Sequence, residues 1–215
     1  MYKTLLLKFA LVFLILTATS CSPKIVNLSV AKAEVQNYYE SGGFYNELNS
    51  IIDKAINEVN ALSLPDKAAV VFDVDDTALS GYDYTKQLGF GYTWQSWNKW
   101  VLETKAKPII PVKRFYDFLI SRNIKVLFLT GRTLEQCNAT KQNLLKAGYT
   151  KFDTLVCSSN SKKIPVSVFK ENERKKFTDM GYNIIASIGD QNSDLEGKFT
   201  GMKIKIPNYL YILKD

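Results

Sequence analysis

The apolar run Ala68-Ala69-Val70-Val71-Phe72 leads straight into Asp73-Val74-Asp75-Asp76-Thr77. In an extended chain Asp73 and Asp75 point to the same side, so a strand ending here sets two carboxylates side by side above a sheet. Like charges that close repel unless a divalent cation or a proton intervenes, and a protonated partner is a ready proton donor. Acids directly continuing a buried strand are costly unless they serve a site. A second apolar run ends in Leu129-Thr130-Gly131-Arg132, followed by a helical pattern from Leu134. A hydroxyl, a small residue and a helix start together offer donors for an anion such as phosphate. A third run ends in Ile188-Gly189-Asp190-Gln191-Asn192-Ser193-Asp194, acidic again, although Asp194 taken alone also reads as a helix cap. Between them the charges from Lys170 to Lys176 read mostly as the wet face of a helix, with Lys170 at its start, in reach of the strand ends.

The 215 residues include no histidine, which excludes Ser-His-Asp and Cys-His nucleophiles, phosphohistidine and His-ligated zinc. Chemistry here falls to carboxylates, Lys, Thr or a metal. With 11 Gly, 6 Pro and 3 Cys against 46% hydrophobic residues, collagen-like, disordered and disulfide-scaffold classes are excluded as well.

Positioning such residues requires a sheet. The run from Ala68 to Val74 suits a strand buried on both faces, and further runs cover Lys125 to Thr130, Thr154 to Cys157, Asn183 to Ile188 and Met202 to Ile206. Helical patterns over Pro111–Arg122, Leu134–Ala147 and Val168–Met180 alternate with them, and residues 27–62 carry two more helices broken at Ser41-Gly42-Gly43. Strand alternating with helix predicts an α/β fold with a doubly wound, Rossmann-like parallel sheet, whose ligands sit at the carboxyl ends of the strands.

An apolar strand followed by Asp73-Val74-Asp75-Asp76-Thr77, then Thr130, then Lys170, then Gly189-Asp190 with Asp194, resembles in order and register the four motifs of the haloacid dehalogenase superfamily of phosphohydrolases. More closely, the chain is similar to subfamily IIIB acid phosphatases, the branch with bacterial class C lipoprotein phosphatases and plant vegetative storage proteins. Trp94-Gln95-Ser96-Trp97-Asn98-Lys99-Trp100, Thr130-Gly131-Arg132, Phe169-Lys170, Gly189-Asp190-Gln191 and Ile206-Pro207-Asn208-Tyr209 carry that likeness. Lys162 and Lys163 compete with Lys170 for the third motif; Lys170 is preferred for its flanking Glu173-Arg174.

The resemblance implies a phosphomonoesterase. Asp73 is then the nucleophile and Asp75 the acid and base. Mg²⁺ is held by Asp73, Asp190 and the backbone carbonyl of Asp75, phosphate by Thr130, Gly131 and Lys170, and Asp194 orients metal-bound water or Lys170. It further implies that residues 78–107 form a small helical cap inserted after the first strand, with Tyr82 and Trp94 as candidate substrate contacts and nucleoside monophosphates as one plausible substrate class. The alternative is a noncatalytic surface or storage-type binding protein on the same fold; Asp73 argues against it.

Residues 1–20 read as an export signal: Lys3 and Lys8, the apolar run Phe9 to Leu16, then small residues up to Cys21. Small residues before a Cys resemble a bacterial lipoprotein signal, which makes Cys21 a lipidated N-terminus on the cell envelope and the membrane a partner through that anchor. An ordinary signal peptide, with Cys21 a free thiol, is the other reading. Residues 21–215 then form one domain. Cys137 and Cys157 remain, and their spacing leaves open whether they pair. The charge of +7 is spread without a basic block, which suits anionic small molecules and not a nucleic-acid polymer.

Overall fold

The computed structural model describes residues 25–159 and 164–213. The expected signal segment, Cys21, Lys162 and Lys163 lie outside the described residues. Two helices, α1 (Leu28–Glu40) and α2 (Gly43–Asn60), come first. They are separated where Gly42 takes φ 88°, a left-handed conformation that costs glycine nothing. The chain divides by contacts at Ala33/Glu34, and the sheet with its packed helices belongs to the unit from Glu34 onward.

Next come β1 (Ala68–Phe72), α3 (Tyr82–Gln87), α4 (Trp94–Glu103), α5 (Ile110–Ser121), β2 (Lys125–Thr133) and α6 (Leu134–Lys146). β3 (Thr154–Ser158), α7 (Val166–Asp179), β4 (Asn183–Gly189), a short 3₁₀ turn (Asn192–Asp194) and β5 (Met202–Lys205) complete the order. The five strands form one parallel sheet in the order β3-β2-β1-β4-β5, the α/β arrangement expected from the sequence. Connections leave β1 toward β2 and β3 and then cross back to β4, so the topological switch lies beside β1, where a ligand crevice forms outside the strand ends.

Every residue of β1 is buried, as its lack of alternation requires. Its side chains divide between two cores. Val70 and Phe72 pack with Leu48, Ile52 and Val59 of α2 and Val112, Phe115 and Leu119 of α5. Ala69 and Val71 pack with Leu127, Leu129, Phe169 and Phe177 on the α7 face. Each fully buried Leu, Ile or Phe contributes about 1.5–3 kcal/mol, so the central strand is pinned from both sides and its end is a rigid platform.

Two boundaries differ from expectation in a way that shapes the site. β1 stops at Phe72, before Asp73 to Val74, although the Asp73 amide still donates to Ile188 O at 3.0 Å. Beyond it the amides of Ala78 and Leu79 both bond Val74 O, at 3.0 and 2.8 Å, which turns the chain away from the sheet. β2 runs on to Thr133, but its register with β3 breaks between Thr130 and Thr133, so the stretch holding Gly131 and Arg132 leaves regular pairing at the sheet's carboxyl edge.

Cys137 of α6 and Cys157 of β3 form a disulfide with Cα atoms 5.8 Å apart. Among the described residues, no helix is long and apolar enough to cross a membrane.

Candidate active site

Asp73, the first residue past β1, is 7% exposed, and its Oδ1 accepts a hydrogen bond from Lys170 Nζ at 2.6 Å. Lys170, on the first turns of α7, also pairs with Asp194 Oδ1. Burial disfavours the ammonium, but Asp194 and Asp73 outweigh that and hold its pKa above the usual lysine range. Burial, then Asp194, push the Asp73 carboxyl well above its ordinary value, and Lys170 only partly opposes them.

Asp190 follows β4 directly. Its Oδ2 accepts from Gln191 Nε2 and Asn208 Nδ2, each at 2.6 Å, and its Oδ1 from Thr77 Oγ1 at 3.2 Å. Asp194 Oδ2 accepts the Gln191 amide at 2.9 Å, closing the turn after the strand. The fully buried Arg174 clamps that turn by donating to the carbonyls of Asp194 (3.0 Å), Lys198 (3.2 Å) and Glu196.

Ligand oxygens of Asp73, Asp190 and Asp194 all lie within 4.8 Å of one another, and all three residues are buried. One ammonium cannot balance three such carboxylates. Hard oxygen donors, excess negative charge and no imidazole fit a hard divalent cation.

Asp75 stands apart from this group. Arg132 forks its carboxylate, Nε lying 3.0 Å from both oxygens and Nη2 2.5 Å from Oδ1. The guanidinium itself is fixed by Nη1 donating to Thr140 Oγ1 at 3.1 Å and by its position 5.7 Å from the Trp97 ring centroid. The two neighbouring acids are thus split between two cations, Asp73 with Lys170 and Asp75 with Arg132.

Asp76 takes φ 51°, tolerable for Asp, and its carboxylate accepts the Gly81 amide at 2.7 Å. A Cβ at Gly81 would lie 2.8 Å from Asp76 Oδ2, so glycine is required there. Burial, with Asp75 adding repulsion, raises the Asp76 carboxyl to about 7. Burial and the charges of Asp194 and Asp76 raise that of Asp190 to about 7 too.

Without metal, two carboxyls that titrate near 4 in the unfolded chain therefore titrate near 7 in the folded one. Their stabilising contribution is complete below about pH 4 and is lost as pH rises through about 7. In EDTA the protein gains stability as pH falls from 8 to 5, roughly 2–3 kcal/mol per group, and a saturating divalent cation flattens the slope. Thermal unfolding followed by circular dichroism checks this; a melting temperature in EDTA that drops as the pH is lowered contradicts it.

Gly189 ends β4 under the same pressure. A Cβ there would sit 2.3 Å from Asp194 Cβ and Oδ2. Gly189→Ala must therefore displace Asp194 from Lys170, and we expect an activity loss of about 100-fold or more with a lowered melting temperature. Near-wild-type kcat in a folded Gly189→Ala protein would refute that packing.

These groups open into a cavity of about 410 Å³ lined by Asp73, Asp75, Gly131, Lys170, Asp190, Asp194 and Trp94 among the residues expected from sequence. Two expected residues are placed elsewhere. Thr130 is buried beneath the cavity, its hydroxyl accepting the Arg132 amide at 3.1 Å. Tyr82 is turned away, its ring stacked on Tyr39 at 4.7 Å and its hydroxyl donating to Glu40 at 2.9 Å. Tyr84, Phe90, Tyr92 and Trp97 join Trp94 on that wall, and the segment holding them docks on α6 through Gln136 Nε2 donating to Asn98 Oδ1 at 2.9 Å.

Sequence reasoning gave no role to Arg132, Asp76, Gln191, Asn208 or Tyr211. A signal existed for four of them: Arg132 directly follows Thr130-Gly131, Asp76 and Gln191 sit inside the quoted Asp73-Val74-Asp75-Asp76-Thr77 and Gly189-Asp190-Gln191, and Asn208 sits in the noted Ile206-Pro207-Asn208-Tyr209. Tyr211, which lines the cavity together with Asp76, carries no local signal.

The chain is 31% identical over 186 residues to the stem 28 kDa glycoprotein of Glycine max, covering 83% of this chain and 73% of that protein. It is 27% identical over 186 residues to acid phosphatase 1 of Solanum lycopersicum, with the same coverage. The solved class C acid phosphatase of Bacillus anthracis shares the fold, with a TM-score of 0.69 at 18% identity over 86% of this chain and 87% of that one. The family model for the HAD superfamily, subfamily IIIB (acid phosphatase), matches residues 13–214. That match spans nearly the whole chain, places it in this subfamily and makes it a phosphomonoester hydrolase.

Proposed function

We propose that the chain is a Mg²⁺-dependent acid phosphatase that cleaves small phosphomonoesters through a phosphoenzyme on Asp73. The observation that carries the reading is the meeting of Asp73, Asp190 and Asp194 within 4.8 Å around Lys170 at the carboxyl edge of the sheet. The carboxylates of Asp73 and Asp190 and the backbone carbonyl of Asp75 would hold the cation. When bound, it offsets the repulsion between Asp73 and the phosphate.

The side chains divide the remaining work. An Asp73 carboxylate oxygen attacks phosphorus in line, and the P–O bond to the leaving group breaks as the aspartyl-phosphate forms. Asp75 gives its proton to the departing alkoxide. In the second half, Asp75 takes a proton from water, whose oxygen attacks phosphorus and frees phosphate and Asp73. The Arg132 fork binds the carboxylate form of Asp75, the form that accepts the water's proton. Lys170 and the backbone at Gly131 face the other phosphoryl oxygens, with the Thr130 hydroxyl supporting that backbone from beneath. Asp194 holds Lys170.

We read residues 78–107 as the cap. Its rings at Tyr84, Tyr92, Trp94 and Trp97 can stack on a nucleobase, which favours nucleoside monophosphates. The Cys137–Cys157 bridge supports export to an oxidising compartment. Lipid anchoring through Cys21 is the matching proposal, checked by radiolabelled palmitate incorporation that disappears in Cys21→Ser.

The deciding experiment is hydrolysis of an aryl phosphate with and without EDTA, followed by a panel of phosphomonoesters. Turnover falls by about 100-fold or more on chelation and returns with Mg²⁺. Hydrolysis indifferent to EDTA removes the metal from the reading. No hydrolysis under any condition favours a noncatalytic binding protein on this fold.

A further inference from the structure

The segment after β5 does more than end the sheet. Asn208 Nδ2 donates to Asp190 Oδ2 at 2.6 Å, while Asn208 Oδ1 accepts the amides of Leu210 and Tyr211 at 2.8 and 3.3 Å. One side chain therefore both touches the acid at the end of β4 and folds the tail back in a turn. The tail is then held at two further points. Tyr209 Oη donates to Glu47 Oε2 on α2 at 3.0 Å, and the Leu213 amide donates to Gln191 Oε1 at 2.9 Å. Leu210, Tyr211 and Leu213 thereby line the cavity, as Trp94 does. Gln191 and Asn208 grip the same oxygen of Asp190, and Thr77 takes the other.

All three donors to the Asp190 carboxylate are neutral, while the Lys205 ammonium donates to the Asp190 backbone carbonyl instead. They fix the direction of the carboxylate without adding a positive charge that would compete with a cation for it. Lysine plays the opposite part at Asp73 and Asp194.

We propose that Asn208 is a positioning residue of the metal site, aiming Asp190 and coupling that aim to the turn by which the C-terminal tail walls the cavity. The inference rests on the phosphatase reading above and adds to it a residue that touches neither phosphate nor the reacting atoms. Outer partners of ligating carboxylates typically govern metal affinity by about 10- to 100-fold.

The test is calorimetric titration of the full chain with Mg²⁺ alone, for wild type, Asn208→Ala and Asn208→Ser. Serine can accept the Leu210 and Tyr211 amides but is too short to reach Asp190, so it separates the turn from the aiming bond. Both variants lose about 10- to 100-fold in Mg²⁺ affinity. At saturating Mg²⁺ they recover kcat on an aryl phosphate, with KM unchanged. Wild-type Mg²⁺ affinity in a folded variant overturns the inference, and so does a kcat that stays low when Mg²⁺ is saturating. If both variants are unfolded and Mg²⁺ fails to rescue them, Asn208 is a structural residue and the inference falls. If wild type itself neither binds Mg²⁺ nor turns over, it is the phosphatase reading that fails.

Discussion

Asp73→Asn abolishes turnover while leaving the protein folded. The amide is isosteric but cannot form an acyl phosphate that water then clears, so kcat falls by about 10⁴-fold or more, equivalent to about 5 kcal/mol of barrier. Stability moves the other way. Asp73 is one of three buried carboxylates crowded within 4.8 Å, and burial and Asp194 already push its carboxyl upward. Removing that charge relieves repulsion that Lys170 cannot fully cancel, so the metal-free melting temperature holds or rises. Acid-quenched enzyme incubated with ³²P-labelled substrate carries label in wild type and none in Asp73→Asn. Retained turnover, or retained label, sinks the assignment of the nucleophile.

Lys170→Met gives the second large effect, on activity and stability together. The methionine fills a similar volume but leaves Asp73 and Asp194 buried and unpaired, where each had a charged partner. Breaking such a buried pair from one side costs about 3–5 kcal/mol, so the metal-free protein melts well below wild type. A bound cation replaces part of the missing charge, and Mg²⁺ therefore stabilises the variant more than wild type. Turnover stays low even then, by about 10²–10³-fold, because the donor facing the phosphoryl oxygens is gone. Thermal unfolding with and without Mg²⁺, beside kcat on an aryl phosphate, reads both effects. A metal-free melting temperature equal to wild type would contradict the geometry at Asp73.

The site was legible where chemistry is written in consecutive residues. Asp73 and Asp190 directly follow strands whose apolar pattern is plain, Asp194 closes the turn after the second of them and Lys170 lies on the first turns of α7, so sheet topology brings them together. Asp75 was legible as a partner of Asp73 but not in its environment. Extended geometry puts the two side by side, whereas the chain turns past Phe72 and Asp75 meets Arg132 instead. That pairing spans 57 positions and depends on the register break that releases β2 from β3 after Thr130. Thr130 was recognised by type, yet its hydroxyl serves the Arg132 amide beneath the cavity. Of the two aromatics singled out, Trp94 lines the cavity and Tyr82 does not: Tyr82 and Tyr84 are two residues apart on a six-residue helix, and only Tyr84 of that pair faces the cavity. The tail was least legible, since Asn208 and Leu213 act through long-range hydrogen bonds that leave no periodic trace.

The bridge between Cys137 and Cys157 bears on how the protein must be produced. Among the described residues β3 is the outermost strand on one side of the sheet, with no neighbour at its far edge in the sheet order, and the cross-link ties that strand to α6. Made in a reducing cytosol, the chain would present an untethered rim able to pair with a second molecule, and material recovered there should clump more readily than material secreted through an oxidising compartment.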